Sequence, residues 1–418
     1  RAGVVFTLQP DRYSIGGMVA YPRIAGSKLD GLMSVGAYIN RDSGEAEGSY
    51  GSLSVRRDLL ALRDRWSFLL GTAWSIEQTR FFQNQLPVLS DQGIPIAYAS
   101  SVVRAGGELS RAFGTGIKTV LTWGLELNRR EYEATPYPFA SPEEFAAFVA
   151  DEVPVSDTRL SPFMQLENRG THYLSTRNVE TFELKESFLL GPMAALRLYP
   201  AARGAGSSRD LIGSVAWLGY TQPIADGFAR VVGNSSIERA ADERHQASVQ
   251  AAARLVSPRF AYLRAVVDAA LVTAYENYLN RKVALGGATR PRGYVTSAFR
   301  GASGFAGSFE LRTGAVNLLS ARLGVVTFYD VGGAGESVSD ITLHQSLGAG
   351  IRVLFPQINR ICFRLDWAAP LTPGPGRSPD SPLPGAVYFT FGQAFDVPVF
   401  KLPAILGAST TLLDLPPQ

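Results

Sequence analysis

One cysteine, Cys362, and three histidines, His172, His245 and His344, are all that 418 residues contain of those two types. A lone cysteine cannot close a disulfide within the chain, and three scattered histidines offer no metal-ligand spacing. No metal or other cofactor is therefore expected. Charged residues are scarce at 18%, against about a quarter in ordinary soluble domains. The net charge of +3 is spread along the chain, so it leaves no basic footprint for nucleic acid. Long apolar runs are also missing: Arg, Asp, Glu or Gly interrupts each one well before the roughly 18 residues that a spanning helix needs. Catalytic signatures are absent, since no Gly-x-Ser-x-Gly elbow occurs and the histidines stand in unrelated contexts. The chain is expected not to be an enzyme. Arg1 is not an initiator methionine and no signal peptide precedes it, so the sequence reads as a mature or trimmed chain.

Glycine and aromatic residues are plentiful, with 42 glycines and 11% Phe, Trp and Tyr. Mean hydropathy is close to zero. A β-barrel crosses a bilayer with strands of about 9 to 11 residues whose alternate side chains face lipid, so its average hydropathy stays near neutral. The expected fold class is all-β, a transmembrane antiparallel β-barrel of 16 strands, with 16 to 18 strand candidates along the chain. The first 60 residues and residues 168–200 give the weakest strand pattern.

Period-two alternation carries this expectation. From Arg65 to Ile76 one parity holds Trp66, Phe68, Leu70, Thr72, Trp74 and Ile76, while the other holds Arg65, Ser67, Leu69, Gly71, Ala73 and Ser75. Trp66 and Trp74 would lie about 27 Å apart along a strand, or roughly 20 Å along the membrane normal after tilting, close to the separation of two aromatic girdles. From Lys118 to Asn128, Leu121, Trp123, Leu125 and Leu127 oppose Lys118, Thr122, Gly124, Glu126 and Asn128. Five further segments follow: Ser308–Thr313, Ala321–Asp330, Ser346–Phe355, Ile361–Ala369 and Val387–Phe395. Their polar parity includes Glu310, Arg312, Arg322, Asp330, Arg352, Arg364 and Asp366. The opposite parity includes Phe309, Leu311, Leu323, Val325, Ile351, Val353, Phe363, Leu365 and Trp367. A soluble β-sandwich also alternates. The number of strands, the glycines on the polar parity and the aromatics near strand ends favour the membrane barrel. Between strands, Ser141-Pro142-Glu143-Glu144 precedes an apolar stretch, which reads as a capping box opening a short helix in the longest loop.

Residues 286–294 read Gly-Gly-Ala-Thr-Arg-Pro-Arg-Gly-Tyr, and Arg292-Gly293-Tyr294 resembles the Arg-Gly-aromatic tip of the inward-folded loop in the BamA/TamA outer-membrane insertase superfamily. The segments that follow are similar, in order and number, to the five strands after that loop. They contain Gly307–Thr313, then Phe328-Tyr329-Asp330-Val331-Gly332, Gly348–Arg352 and Arg364–Pro370. The last contains Phe389-Thr390-Phe391-Gly392-Gln393-Ala394-Phe395, which looks like that family's terminal strand. The motif match covers residues 285–395.

The resemblance implies an extracellular loop folded into the lumen, with Arg292 paired to Asp330 and with Glu310, Arg364 and Asp366 extending the network. From the residues alone, the alternative is an exposed Arg292 in an extracellular loop and an Asp330 that starts a turn. The barrel is expected over residues 1–395, with residues 396–418 a C-terminal extension of unassigned role, rich in Pro398, Pro403, Pro416 and Pro417 and unsuited to a central strand. Nothing in residues 1–30 resembles a periplasmic POTRA module.

The resemblance further implies a protein of the outer membrane that assists insertion or translocation of other outer-membrane proteins without catalysis. Its partners would be the lipid bilayer, nascent outer-membrane proteins and periplasmic or lipoprotein subunits. In that family the first and last strands meet weakly, so an exposed edge can template an incoming strand, and Gly392 would weaken closure here. A dedicated exporter, a passive channel and a barrel that anchors a larger protein, as in patatin-like lipases with a related barrel, are the alternatives.

Overall fold

The computed structural model describes residues 2–8, 11–59, 64–83, 86–287, 290–357, 362–374 and 385–392. No helix among these residues is long and apolar enough to cross a membrane. The dominant element is one antiparallel sheet of 19 strands. One of the 19, Val316–Leu318, merely extends the edge contact of a longer neighbour, and the other eighteen form a meander in chain order.

The first seven strands are β1 (Ala2–Leu8), β2 (Arg12–Tyr21), β3 (Asp30–Asn40), β4 (Ala46–Arg57), β5 (Trp66–Arg80), β6 (Ala97–Phe113) and β7 (Ile117–Glu133). Next come β8 (Asp157–Gly170), β9 (Gly191–Ala201), β10 (Leu211–Ile224), β11 (Gly227–Ala240), β12 (Gln246–Val256) and β13 (Leu263–Asn277). The last five are β14 (Ser303–Thr313), β15 (Ala321–Gly335), β16 (His344–Leu354), β17 (Cys362–Pro370) and β18 (Ala386–Gly392). Eighteen is the upper end of the expected range and two more than sixteen. The additional strands were hard to count in advance because β1 and β2 lie in the poorly patterned first 60 residues.

The meander curls into a barrel. Its connections alternate between two rims, and the connections on one rim, residues 81–96, 134–156 and 278–302, are much longer than most on the other. In a barrel of this class long loops face outward and short turns face the periplasm. The expected helix, α1 (Pro142–Glu152), caps the outer rim: Ser141 Oγ accepts from the Glu144 amide at 3.2 Å and Glu144 Oε2 accepts from the Ser141 amide at 2.8 Å. Asn280, in the loop after β13, donates to the carbonyls of Ala150, Asp151 and Val153 at 2.9–3.1 Å. Arg300 bonds Glu152 at 2.9 Å and lies over the Phe81 ring. A flat sheet would hold these loops far apart, since six strands separate α1 from Asn280.

Side chains sort by parity as expected. On β5, Trp66, Leu70 and Ile76 are exposed while Leu69, Ala73 and Ser75 are buried. Trp66 meets Trp123 edge-on with ring centroids 6.1 Å apart, and Arg111 lies over the Trp66 ring, as suits an interfacial girdle. β6 and β7 have 17 residues each, more than the bilayer requires. The outward parity of β7 turns from Trp123, Leu125 and Leu127 to Arg129 and Glu131, which pair at 2.6 Å. This charged pair places the upper third of the strand above the hydrocarbon.

Candidate functional site: a buried ion-pair network in the lumen

Strand register builds the inner wall of the site. Ser308, Asp330 and Ser346 lie directly opposite one another across β14, β15 and β16. One step along, Glu310 opposes Phe328, which opposes Gly348. Asp366 of β17 lies between Gly350 and Tyr388. All three carboxylates point inward and are buried. Gly350 has to be glycine, because a Cβ there would collide with the Asp366 carboxylate.

The loop after β13 turns into this wall. Arg292 grips Asp330 with two prongs, Nε to Oδ2 at 2.7 Å and a terminal nitrogen to Oδ1 at 2.9 Å, and its own amide donates to Asp330 Oδ2 at 3.1 Å. The same guanidinium reaches Glu310 at 2.8 Å, lies 3.7 Å from Asp366, and stacks over Phe328 with 3.4 Å to the ring centroid. Planar, bidentate pairing is what distinguishes arginine from lysine here. Gly293 occupies a left-handed conformation at φ 93°, and an added Cβ would press on the Ala368 carbonyl. The Gly293 amide donates to the Tyr388 hydroxyl at 2.9 Å, and that hydroxyl donates to the Tyr294 carbonyl at 3.3 Å. Tyr294 is buried, with its hydroxyl 2.8 Å from the Gln345 carbonyl and 2.9 Å from that of Thr372.

The structure thus brings Arg292, Gly293, Tyr294, Glu310, Asp330 and Asp366 together. Arg364 joins one step removed, through Asp366 at 2.6 Å, which also holds Arg352 at 2.5 Å. Phe328 is the platform under Arg292. Gly332 leaves room for Pro291 of the loop. Phe389 lies on the lipid side and is exposed. Phe391 and Gly392 close β18, and Phe395, like the whole extension 396–418, falls outside the described residues. Sequence reasoning missed Tyr388, although its even parity on β18 is the inward one. It also missed Arg290 and Asp268, which join the network at 3.5 Å from one another, and Arg254, which pairs with Asp268 at 2.7 Å.

A second insertion enters from the opposite rim. Residues 171–190 between β8 and β9 form a hairpin, Tyr173–Arg177 with Lys185–Leu189. Its tip is folded by two side chains: Glu186 accepts from the amides of Val179, Glu180 and Thr181 at 2.7–2.9 Å, and Asn178 exchanges two hydrogen bonds with Glu183. Val179 and Phe182 are buried inside the barrel. Phe182 packs on the β15 backbone at Gly324, in one cluster with Val326, Phe328, Leu354 and Cys362. Arg312, held by Glu310 at 2.6 Å, also donates to the Val179 carbonyl, and Glu180 meets Arg254 at 3.2 Å. Loop and hairpin therefore share Phe328 and the Glu310–Arg312 pair.

A meandering sheet with an apolar outer band and a polar lumen occupied from both rims defines a transmembrane β-barrel. No protein-family model and no curated protein matches the chain, but solved structures do. BamA from Haemophilus ducreyi, lacking POTRA domains 1–3, matches with a TM-score of 0.50 at 10% identity, over 94% of this chain and 69% of that one. CdiB from Acinetobacter baumannii matches at 11% identity with a TM-score of 0.46, and CdiB from Escherichia coli at 11% with 0.37. They are covered over 94% and 93% of this chain, which spans 58% and 66% of theirs. At such identities the likeness is one of fold: the chain has the fold of a BamA-type outer-membrane β-barrel.

Proposed function

We propose that this barrel belongs to an outer-membrane machine that inserts or translocates other outer-membrane proteins by strand templating, without catalysis. The observation that carries the reading is the direct tie between the lumenal loop and the final strand. Tyr388 of β18 bonds both Gly293 and Tyr294, and no ladder joins β18 to β1 among the described residues. An edge strand with unpaired amides and carbonyls is a template for an incoming strand. A barrel holding its terminal strand from inside can expose that edge and keep its shape. Occupation of the lumen from both rims speaks against a wide passive pore.

The partners on this reading are the bilayer, unfolded barrel segments, and periplasmic or lipoprotein subunits that deliver them. Depleting the full-length protein in its native host, followed by quantitative proteomics of the outer membrane, tests the proposal. Broad loss of other barrel proteins is expected. Loss of a single secreted product would assign a dedicated exporter instead, and an unchanged outer membrane would reduce the barrel to an anchor.

A further inference from the structure

The other half of the lumen, away from the ion-pair network, contains a cavity of about 230 Å³ walled by β6 to β11 and by the loop after β13. Five guanidinium groups line it, from Arg104, Arg130, Arg159, Arg197 and Arg281, against two carboxylates, Glu126 and Glu238. Both carboxylates are already shared. Glu126 holds Arg159 at 3.3 Å and Arg197 at 3.0 Å, while Glu238 holds Arg159 at 2.5 Å and Arg209 at 2.7 Å, with the Tyr199 hydroxyl also on it.

Arg130 and Arg281 are left over. Among the described residues neither has a carboxylate within ion-pairing distance. Arg130 donates to the amide oxygen of Asn128 at 3.2 Å. Arg281 is exposed, yet the protein around it and the Arg130 charge push its pKa down to about 10, with the Glu238 carboxylate acting in the opposite direction. Five guanidinium groups over two carboxylates leave the cavity with an excess of positive charge, which focuses the field and attracts an anion.

We propose that this cavity binds a phosphate-class oxyanion entering from the outer mouth. Guanidinium forks match the tetrahedral oxyanion bidentately, and Ser161 adds a hydroxyl to the lining. The strands wall the cavity off from lipid, so the ligand is a soluble anion of the size of phosphate or diphosphate. Arg281 sits in the loop whose Asn280 holds α1, and Arg130 and Arg159 are on strands. An anion between them therefore fastens the outer cap to the barrel wall. This inference stands independently of the proposed role in protein insertion.

Isothermal titration of the refolded full-length protein in detergent with inorganic phosphate and diphosphate, against chloride at matched ionic strength, is the test. Saturable binding of phosphate, tighter for diphosphate and absent for chloride, is expected. Arg281→Gln should weaken it by roughly tenfold or more, the loss of charge-assisted hydrogen bonds, and Arg281→Lys by less. Phosphate that binds no better than chloride to the wild-type protein overturns the proposal whether or not the variants fold. Unchanged affinity in a folded Arg281→Gln protein, checked by heat-modifiable migration, overturns it as well.

Discussion

At the scale of single residues the lumen is governed by the cost of an unmatched buried charge. Arg292 compensates Asp330 fully and Glu310 in part. Truncating it to Ala therefore leaves two buried carboxylates short of a partner, a loss of about 3–5 kcal/mol. Urea unfolding of Arg292→Ala in detergent should show a lowered midpoint of that order. Exchanging the pair, Arg292→Asp with Asp330→Arg, should recover part of the loss; a double variant no better than either single one would mean that the two side chains act separately. Tyr388→Phe asks a finer question. It removes one oxygen and leaves the Gly293 amide unsatisfied, a cost of about 1–3 kcal/mol. Because β18 is the edge strand, the expected readout is local: faster amide exchange in β18, with β5 to β8 unchanged. Uniform exchange throughout the barrel would show that Tyr388 does not hold the edge.

Among the elements, the hairpin 171–190 is the least expected. Its arms have five residues each, too short to span a bilayer, and it leaves from the rim where turns are otherwise brief. Replacing residues 173–189 with a short Gly-Ser turn should keep the strand ladder and raise single-channel conductance in planar bilayers. Conductance equal to wild type would show that the outer loop seals the lumen alone. The same element marks the limit of what the sequence disclosed. β5, β7 and β14 to β17 were legible because each has lipid on one face and charge on the other, so parity alone orients them. Arg292 and Asp330 were legible through the resemblance and through parity. Residues 171–190 face only protein and lumenal water, so no lipid-facing parity marks them, and the features that fold the tip, Glu186 on three amides and Asn178 on Glu183, are contacts that spacing does not announce. Arg130 and Arg281 were equally hidden, being brought together by the curling of the sheet across about 150 residues of chain.

For the molecule as a whole, the proposed function turns on the seam between β1 and β18. Cysteines introduced into these two strands, in a Cys362→Ser background so that no other thiol competes, should lock the edge when oxidised. On the proposed reading, locked protein loses substrate assembly and regains it on reduction; full assembly by the locked form would exclude opening at this seam. The shared footing of loop and hairpin on β14 and β15 has a further consequence, for the order in which the chain acquires its structure. The Arg312 to Val179 hydrogen bond joins residues 133 apart in sequence, and the Arg264 contacts with the hairpin span 87 and 88. Contacts so distant form late, because the loop they close must be ordered first. The hairpin can acquire its final partners only when the last third of the chain arrives, and by then it must already lie inside the curling sheet. An intermediate lacking β14 to β18 would hold the hairpin only by its contacts with β11 to β13, through Phe228, Arg254, Val256, Arg264 and Val266.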